Sequence, residues 1–392
     1  MAVSEVELQA PPAGADAGAP DELCLLLTPR EPGGHEATVL GWLADAVRLH
    51  GLRLRIAAPT PVLAAACRAA GLGARLWPGL PAPGGQGGMA AALRHVLQGW
   101  PQGRPLLLAP GMLHADAWLL AAAVAMGHEV WVHVPMACSA QHMGHRLGTL
   151  RDTLLAPWLR RVRLWITGDG QQCRWLHRHW RLPAPVQVLP SLPRLPPQTA
   201  PACQRAVDHR LRVAWVGRFD LRPCGLDWLA GLLQTQAHWH QQQRWHFQGQ
   251  GPGEPALQAL ASALGPQHAL VHPPAPIHQA LACNDLLLLP SRHEALPLVA
   301  LQATALGWPV VASRQAGLSA LLPPTSQFDF GDADGLRQAL CRMQQPAARA
   351  RAVDHAQDRL ARQHAPQRYR PALASLIRHL RHGRPGRQAT PC

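Results

Sequence analysis

Short apolar runs recur along the chain, each bounded by Gly or Pro and followed by a polar loop and a stretch whose apolar residues have helical spacing. The clearest case lies between Ala282 and Ser313. The run Leu286 to Leu289 stops at Pro290, and Pro309, Val310 and Val311 open another after Gly307. Runs this short fit strands buried on both faces of a parallel sheet better than a buried helix. Between them, Pro297 suits a first helical turn and Leu298 to Leu306 are good helix formers. Gly307 stands where a left-handed C-terminal cap is expected. The spacing therefore puts Ser291, Arg292, His293 and Glu294 at the carboxyl end of a strand, just before a helix N-terminus. Open α/β sheets bind ligands there, and helix dipoles favour phosphate there.

The same alternation organises the rest of the chain. Leu23 to Thr28, Leu52 to Ala58, Pro105 to Ala109, Glu129 to Val134, Leu164 to Thr167 and Val186 to Leu189 read as strands, with helices over Val39 to Leu49 and Trp118 to Met126. In the second half, Arg212 to Val216 and Trp245 to Gln248 read as strands that lead into glycine-containing loops. Pro190 to Cys203 carries five prolines and no periodicity, which describes a stiff linker. The expected organisation is a tail over 1–20, a first α/β domain over 21–196, a Pro-rich linker over 190–206 and a second α/β domain over 207–346. Helices over 347–380 are expected to return to the first domain, ahead of a basic tail over 381–392.

Composition narrows the classes. The 392 residues exceed one ordinary core, and a hydrophobic share of 47% is enough to bury two. No apolar run approaches the roughly 18 residues of a membrane span, and the first 20 residues have no basic-then-apolar leader, so a cytoplasmic protein is expected. The nine cysteines are scattered without a Cys-x-x-Cys pair, which indicates neither a disulfide framework nor a zinc ribbon. The net charge of +14 is carried entirely by arginine and favours anionic partners: nucleotide-sugar phosphates, peripheral contact with the anionic inner membrane, or nucleic acid. No basic cluster interleaved with aromatics speaks for nucleic acid, which is the weakest of these readings.

Several residues are candidates for chemistry. Gly33 and Gly34 sit at a strand-to-helix turn, where a lack of side chains permits close approach, although two glycines mark many ordinary turns. His133 ends a predicted strand; a lone histidine is more often a satisfied core residue than a catalyst, and its place at the strand's carboxyl end counts against that. His142 and His145 follow in a polar segment and read as solvated loop histidines. Arg218 ends another strand in a Gly-Arg pair, where its planar fork of donors suits phosphate. Gly249 and Gly251, before Pro252, form a Gly-x-Gly turn. Asp332 and Asp334 match an Asp-x-Asp metal pattern formally, but they start a predicted helix and read as a cap.

With these residues in view, PSRHEALPLVALQATALGWPVVAS resembles the donor-site signature of retaining glycosyltransferases of family 4. In that signature a Glu before the helix is followed eight positions later by a second Glu. Glu294 matches the first and Gln302 stands at the second. TPREPGGHEATVLGWLADAV resembles the family's first strand, glycine-rich loop and first helix. GRFDLRPCGLDWLAGLLQ resembles its Gly-Arg segment, with Cys224 and Gly225 in place of Lys-Gly and Arg222 as the nearby replacement cation. The resemblance implies a GT-B fold of class α/β, with two Rossmann-like doubly wound domains facing each other across a cleft, 21–196 on the acceptor side and 207–346 binding the nucleotide sugar. It implies a retaining, metal-independent hexosyltransferase without a cofactor, taking a nucleoside-diphosphate sugar donor and a saccharide or lipid-linked acceptor in polysaccharide biosynthesis. Its implied catalytic residues are Glu294, Arg218 and His133, and its implied donor contacts are Gly33, Gly34, Arg222, Gly249, Gly251, Leu298, Val299 and Gln302. A Gln at 302 exchanges a charge-assisted contact of roughly 1.5 to 3 kcal/mol for a neutral one of about 0.5 to 1.5. A catalytically impaired, partner-binding subunit is therefore the alternative.

Overall fold

The computed structural model describes residues 22–28, 33–77, 80, 85–114, 116–134, 136–195, 210–236 and 238–382, apart from the side chains of 85–89, 238, 240 and 382. The expected tail over 1–20, most of the expected linker and nearly all of the basic tail lie outside the described residues.

Two six-stranded parallel sheets organise the chain. The first contains β1 (Glu22–Leu27), β2 (Arg53–Ala57), β3 (Pro105–Ala109), β4 (Glu129–His133), β5 (Leu164–Thr167) and β6 (Val186–Val188) in the order β2-β1-β3-β4-β5-β6. Its connections carry α1 (Gly34–His50), α2 (Pro61–Ala69), α3 (Gly85–Gly99), α4 (Ala117–Ala125), α5 (Gly148–Leu159) and α6 (Gly170–Trp180). The second contains β7 (Leu211–Arg218), β8 (Gln243–Gln250), β9 (Ala269–His272), β10 (Leu286–Leu289), β11 (Val310–Ser313) and β12 (Gln327–Phe328) in the order β12-β11-β10-β7-β8-β9. Its helices are α7 (Leu226–Thr235), α8 (His238–Gln242), α9 (Glu254–Leu264), α10 (Ile277–Ala282), α11 (Leu298–Ala305) and α12 (Ala333–Met343), followed by α13 (Pro346–Gln363) and α14 (Pro366–His382). Strand order reverses between β7 and β10. The loops after those two strands therefore part to opposite sides and leave a crevice at their carboxyl ends.

Alternate residues of one strand feed different cores, as expected of strands covered on both faces. Leu23, Leu25 and Leu27 pack towards α1, whereas Cys24 and Leu26 pack with Leu93, Val96 and Leu120 on the other side. Tyr369, Leu373, Leu376 and Ile377 of α14 belong to the first domain's core, so the chain's last described helix crosses back from the second domain. Asp45 of α1 secures that crossing: its carboxylate accepts from the Tyr369 hydroxyl at 2.7 Å and from the Arg194 guanidinium at 2.5 Å.

Several boundaries differ from those expected, two of them with a visible cause. Helix α1 starts at Gly34, five residues before Val39, because Glu36 turns back to accept from the Gly33 amide at 2.6 Å and so caps the first turn. Strand β8 runs to Gln250 and takes in Gly249, since its pairing with β7 continues as far as Arg218. Cys24, Cys67, Cys138, Cys224 and Cys341 are free thiols; Cys173 and Cys283 are disulfide-bonded, which their isolated spacing did not foretell.

Candidate active site

The crevice of the second sheet gathers Arg218, from the end of β7, and Glu294, from the loop between β10 and α11. Both act on one neighbour, Cys224. Its thiol is pushed up to about 12 by burial and then by the negative charge of Glu294 and Asp220, with Arg218 opposing. The Cys224 Sγ lies 3.8 Å from the Arg218 carbonyl oxygen. Burial raises the Glu294 carboxyl to about 7, against the stabilising hydrogen bond that Ser291 Oγ donates at 2.8 Å. Ser313 Oγ in turn bonds the Ser291 carbonyl, so β11 braces the loop that carries Glu294. Arg218 is half exposed and its Nε donates to half-buried Asp220 at 2.7 Å, which holds a cation on the crevice wall. Leu298 and Val299 form the first turn of α11, whose amides have no intrahelical acceptor.

Backbone crowding explains the glycines around this crevice. Gly225 caps α7 with a φ of +70°, and a Cβ there would lie 1.9 Å from the Pro290 carbonyl oxygen, at the start of the Glu294 loop. Gly249 has a φ of +153°, and a Cβ there would lie 1.8 Å from the Gly217 carbonyl oxygen; Gly251 abuts the Phe219 backbone. These residues let β8 and its loop close on the strand end that presents Arg218. Arg222 is exposed, and its carbonyl accepts from Arg292 Nη1 at 2.7 Å. Arg292 also bonds Asp227 at 2.7 Å and lies 4.6 Å over the Phe330 ring, so it ties the two loops of the crevice together. The amide of Gln302 donates to the Arg194 carbonyl at 2.7 Å and so holds the interdomain segment.

The first domain faces this crevice with α1. A methyl at Gly34 would lie 3.4 Å from the Leu298 Cβ, and the charge of Arg218 reaches the buried carboxyl of Glu36. That carboxyl is raised chiefly by burial, with the Gly33 amide and Arg218 among the groups opposing the shift. Beside it, His133 is 3% exposed and burial lowers its imidazole to about 4, so the ring is neutral. Its centroid lies 5.0 Å from that of His35 and 6.2 Å from that of Trp42. Glu36 Oε1, His35 Nε2, His133 Nδ1 and Trp42 Nε1 are all buried and have no partner among the described residues. Unpaired buried polar atoms are costly, and four of them on one wall of a crevice mark a place prepared for a polar ligand. The sequence reading singled out Gly33, Gly34 and His133 but passed over His35, Glu36 and Trp42. The capping-box spacing from Gly33 to Glu36 was the available signal.

A second group of rings crosses the crevice. The centroids of His142 and His293 are 6.1 Å apart, those of His142 and Trp175 6.2 Å, and those of His114 and His145 4.6 Å. His142 and His145 are exposed loop residues, as expected, and each also packs against another ring. On the hinge side, a cavity of about 110 Å³ is bounded by Thr38 and Trp42 of α1, Leu298 and Gln302 of α11, Arg194 and Tyr369. Asp332 caps α12 by accepting from the Gly335 amide at 2.9 Å. Among the described residues no group of three or more His, Cys, Asp or Glu side chains is arranged to hold a metal ion.

Residues 210–346 match the family model described as glycosyl transferases group 1. No curated protein matches the chain. Among solved structures, the chain resembles Anabaena HepE in complex with UDP and glucose, at 15% identity and a TM-score of 0.70, covering 91% of this chain and 99% of that one. It resembles sucrose-phosphate synthase from Thermosynechococcus elongatus at 17% identity and a TM-score of 0.65, covering 93% and 100%. It also resembles WaaG, a glycosyltransferase involved in lipopolysaccharide biosynthesis, at 17% identity and a TM-score of 0.61, covering 91% and 99%. The fold is GT-B.

Proposed function

We propose that this GT-B protein, whose residues 210–346 match the group 1 glycosyl transferases, is a retaining hexosyltransferase that takes a nucleoside-diphosphate sugar and delivers the sugar to a saccharide or lipid-linked acceptor in polysaccharide synthesis. The observation that carries this reading is the meeting of Arg218 and Glu294 around Cys224, opposite the unpartnered polar wall of Glu36, His35 and His133. In the reaction the bond from the anomeric carbon to the diphosphate oxygen breaks, and its electron pair stays with the nucleoside diphosphate. The acceptor hydroxyl oxygen forms the new bond, and its proton goes to the departing diphosphate. Arg218 and the α11 amides meet the charge that grows on the diphosphate, so the step calls for no metal ion. Glu294 holds donor-sugar hydroxyls, and neutral His133 and Glu36 face the reacting sugar and the acceptor. Gly33, Gly34, Arg222, Gly249 and Gly251 shape or border the donor site. UDP in the HepE complex makes a UDP-sugar the first donor class to test. We place the protein in the cytoplasm with peripheral contact to the inner membrane, where lipid-linked acceptors reside.

Thermal shift against nucleoside diphosphates and their sugars tests the reading, because a ligand that binds only the folded state raises the melting temperature. UDP or another nucleoside diphosphate is expected to raise it, Arg218→Ala to abolish the shift, and Glu294→Ala to stop transfer. No shift with any nucleoside diphosphate would sink the proposal. The alternative, a catalytically impaired subunit, draws on Gln302, whose amide is occupied with the Arg194 carbonyl, and on Cys224 in place of a cation. It predicts nucleotide binding without turnover of any donor.

A further inference from the structure

A pocket of about 240 Å³ opens between the two domains beside the Glu294 loop. Asp169 and Arg174, at the start of α6, bound it on one side, and Leu296, two residues beyond Glu294, bounds it on another. His364 and Arg368, at the junction of α13 and α14, close it. Its volume is that of about eight waters in the liquid, room for a phosphate and part of a sugar. The wall also includes Gly317, which follows β11. In the sheet β11 and β7 flank β10 on opposite sides, so this pocket is separate from the side that carries Arg218.

The charge of the pocket is positive. Arg174 and Arg368 come from different helices, and neither guanidinium has a hydrogen bond or ion pair among the described residues. Arg174 folds back over the first turn of α6, where a Cβ on Gly170 would lie 3.4 Å from its Nη1. Asp169 is the one carboxylate on the wall among the described residues, and it is spent as the N-cap of α6, accepting from the Gln172 amide at 2.9 Å. His364 is buried, and burial lowers its imidazole, so the ring is neutral. Its Nδ1 donates to the Ser191 carbonyl at 2.9 Å, which leaves Nε2 an acceptor for a hydroxyl. Two forked cations with no partner of their own suit the oxygens of a phosphate.

The neighbouring rings give that phosphate a carrier. Trp175, next to Arg174 on α6, is half-buried and stacks on the His179 ring with centroids 4.4 Å apart. It also meets the ring of His142, which packs against His293. The segment from His293 to Leu296 therefore passes from these rings to the pocket, and one ligand beside Glu294 can touch both. Ring faces pack on the apolar C–H face of a pyranose, while guanidinium forks take its anionic substituent. We propose that this pocket, with Trp175 beside it, is a subsite for a phosphate-bearing saccharide on the acceptor side of the crevice. Its part in transfer rests on the transferase reading; the binding itself does not.

Isothermal titration with glucose 6-phosphate, glucose and inorganic phosphate, with and without UDP, tests the subsite. Glucose 6-phosphate is expected to bind about tenfold or more tightly than glucose, and more tightly than phosphate alone. Arg174→Ala with Arg368→Ala should erase the preference over glucose and leave the melting temperature and the UDP-induced shift at wild type, since both side chains are exposed. Trp175→Ala should weaken glucose 6-phosphate by about threefold or more without changing inorganic phosphate, and Trp175→Phe should restore most of that loss. No binding of glucose 6-phosphate, equal binding of glucose, or binding indifferent to the arginine pair overturns the proposal; phosphate bound as tightly as its sugar ester overturns the saccharide. With a UDP-sugar present, conversion of glucose 6-phosphate to a phosphorylated disaccharide would identify a free sugar phosphate as the acceptor, and binding without conversion would identify a phosphate on a longer saccharide. An intact UDP shift alongside absent glucose 6-phosphate binding would sink the subsite and spare the donor site; binding without any nucleotide shift would do the reverse.

Discussion

Glu294 carries the clearest pH signature of the site. Its carboxyl is held near 7 in the fold, against an ordinary value near 4.3, so between those values the folded protein keeps a proton that the unfolded chain has released. Stability attributable to this group is therefore present at low pH and is lost as pH rises through that window. Glu294→Gln, which cannot ionise, should be more stable than wild type by about 1 to 3 kcal/mol near pH 8, with the gap closing near pH 4, as read by urea denaturation. The same variant should transfer poorly, the usual exchange of stability for function at a desolvated site. His133, already neutral above about 4, should contribute no inflection to activity between about pH 5 and 8. Arg218→Ala should lower kcat/KM by about a hundredfold or more and leave the melting temperature near wild type, because its ion pair with Asp220 is at the surface. At this scale the sequence pointed to Glu294 and Arg218 through their places after strands. It could not point to Trp42 or His35, whose significance lies in unpaired atoms that only neighbours reveal.

At the scale of elements, the crevice depends on how closely two loops pass. Gly225 caps α7 in a left-handed conformation against the Pro290 carbonyl, so Gly225→Ala brings both backbone strain and a collision. It should cost about 2 to 4 kcal/mol and displace the Glu294 loop, seen as a lower melting temperature together with a raised donor KM. Strands were legible because a strand covered on both faces must be apolar throughout, as Leu286 to Leu289 is. The start of α1 was not, since Gly33 and Gly34 read as a loop until the side chain of Glu36 is seen folding back on the Gly33 amide. Likewise Gly249 reads as a ligand-facing turn, whereas its conformation is demanded by strand-to-strand approach at Gly217.

For the whole molecule, the Asp45 clasp joins α1, the interdomain segment and α14. Burial alone would raise the Asp45 carboxyl, but hydrogen bonds from Arg194, Tyr369 and Arg48 outweigh it and hold the group below its usual value. Its stabilisation is thus complete above the unfolded value near 4 and fades as pH falls through the lower folded one. Asp45→Asn should cost about 2 kcal/mol at neutral pH and flatten the acid limb of the stability curve. Amides of α14 should also exchange hydrogen faster in that variant, which mass spectrometry would register as early deuteration of 366–382.

The order of apolar runs, glycines and prolines was enough by itself to dictate an α/β chain of two sheets and to put Arg218 and Glu294 after strands, because strand burial and helix capping act over a few residues. Three-dimensional packing decided the rest: that Gln302 spends its amide on the Arg194 carbonyl, that Glu36 and His133 line the wall opposite Arg218, and that Arg174 and Arg368 meet at one pocket. Those outcomes depend on contacts between segments tens to hundreds of residues apart, and no local periodicity encodes them.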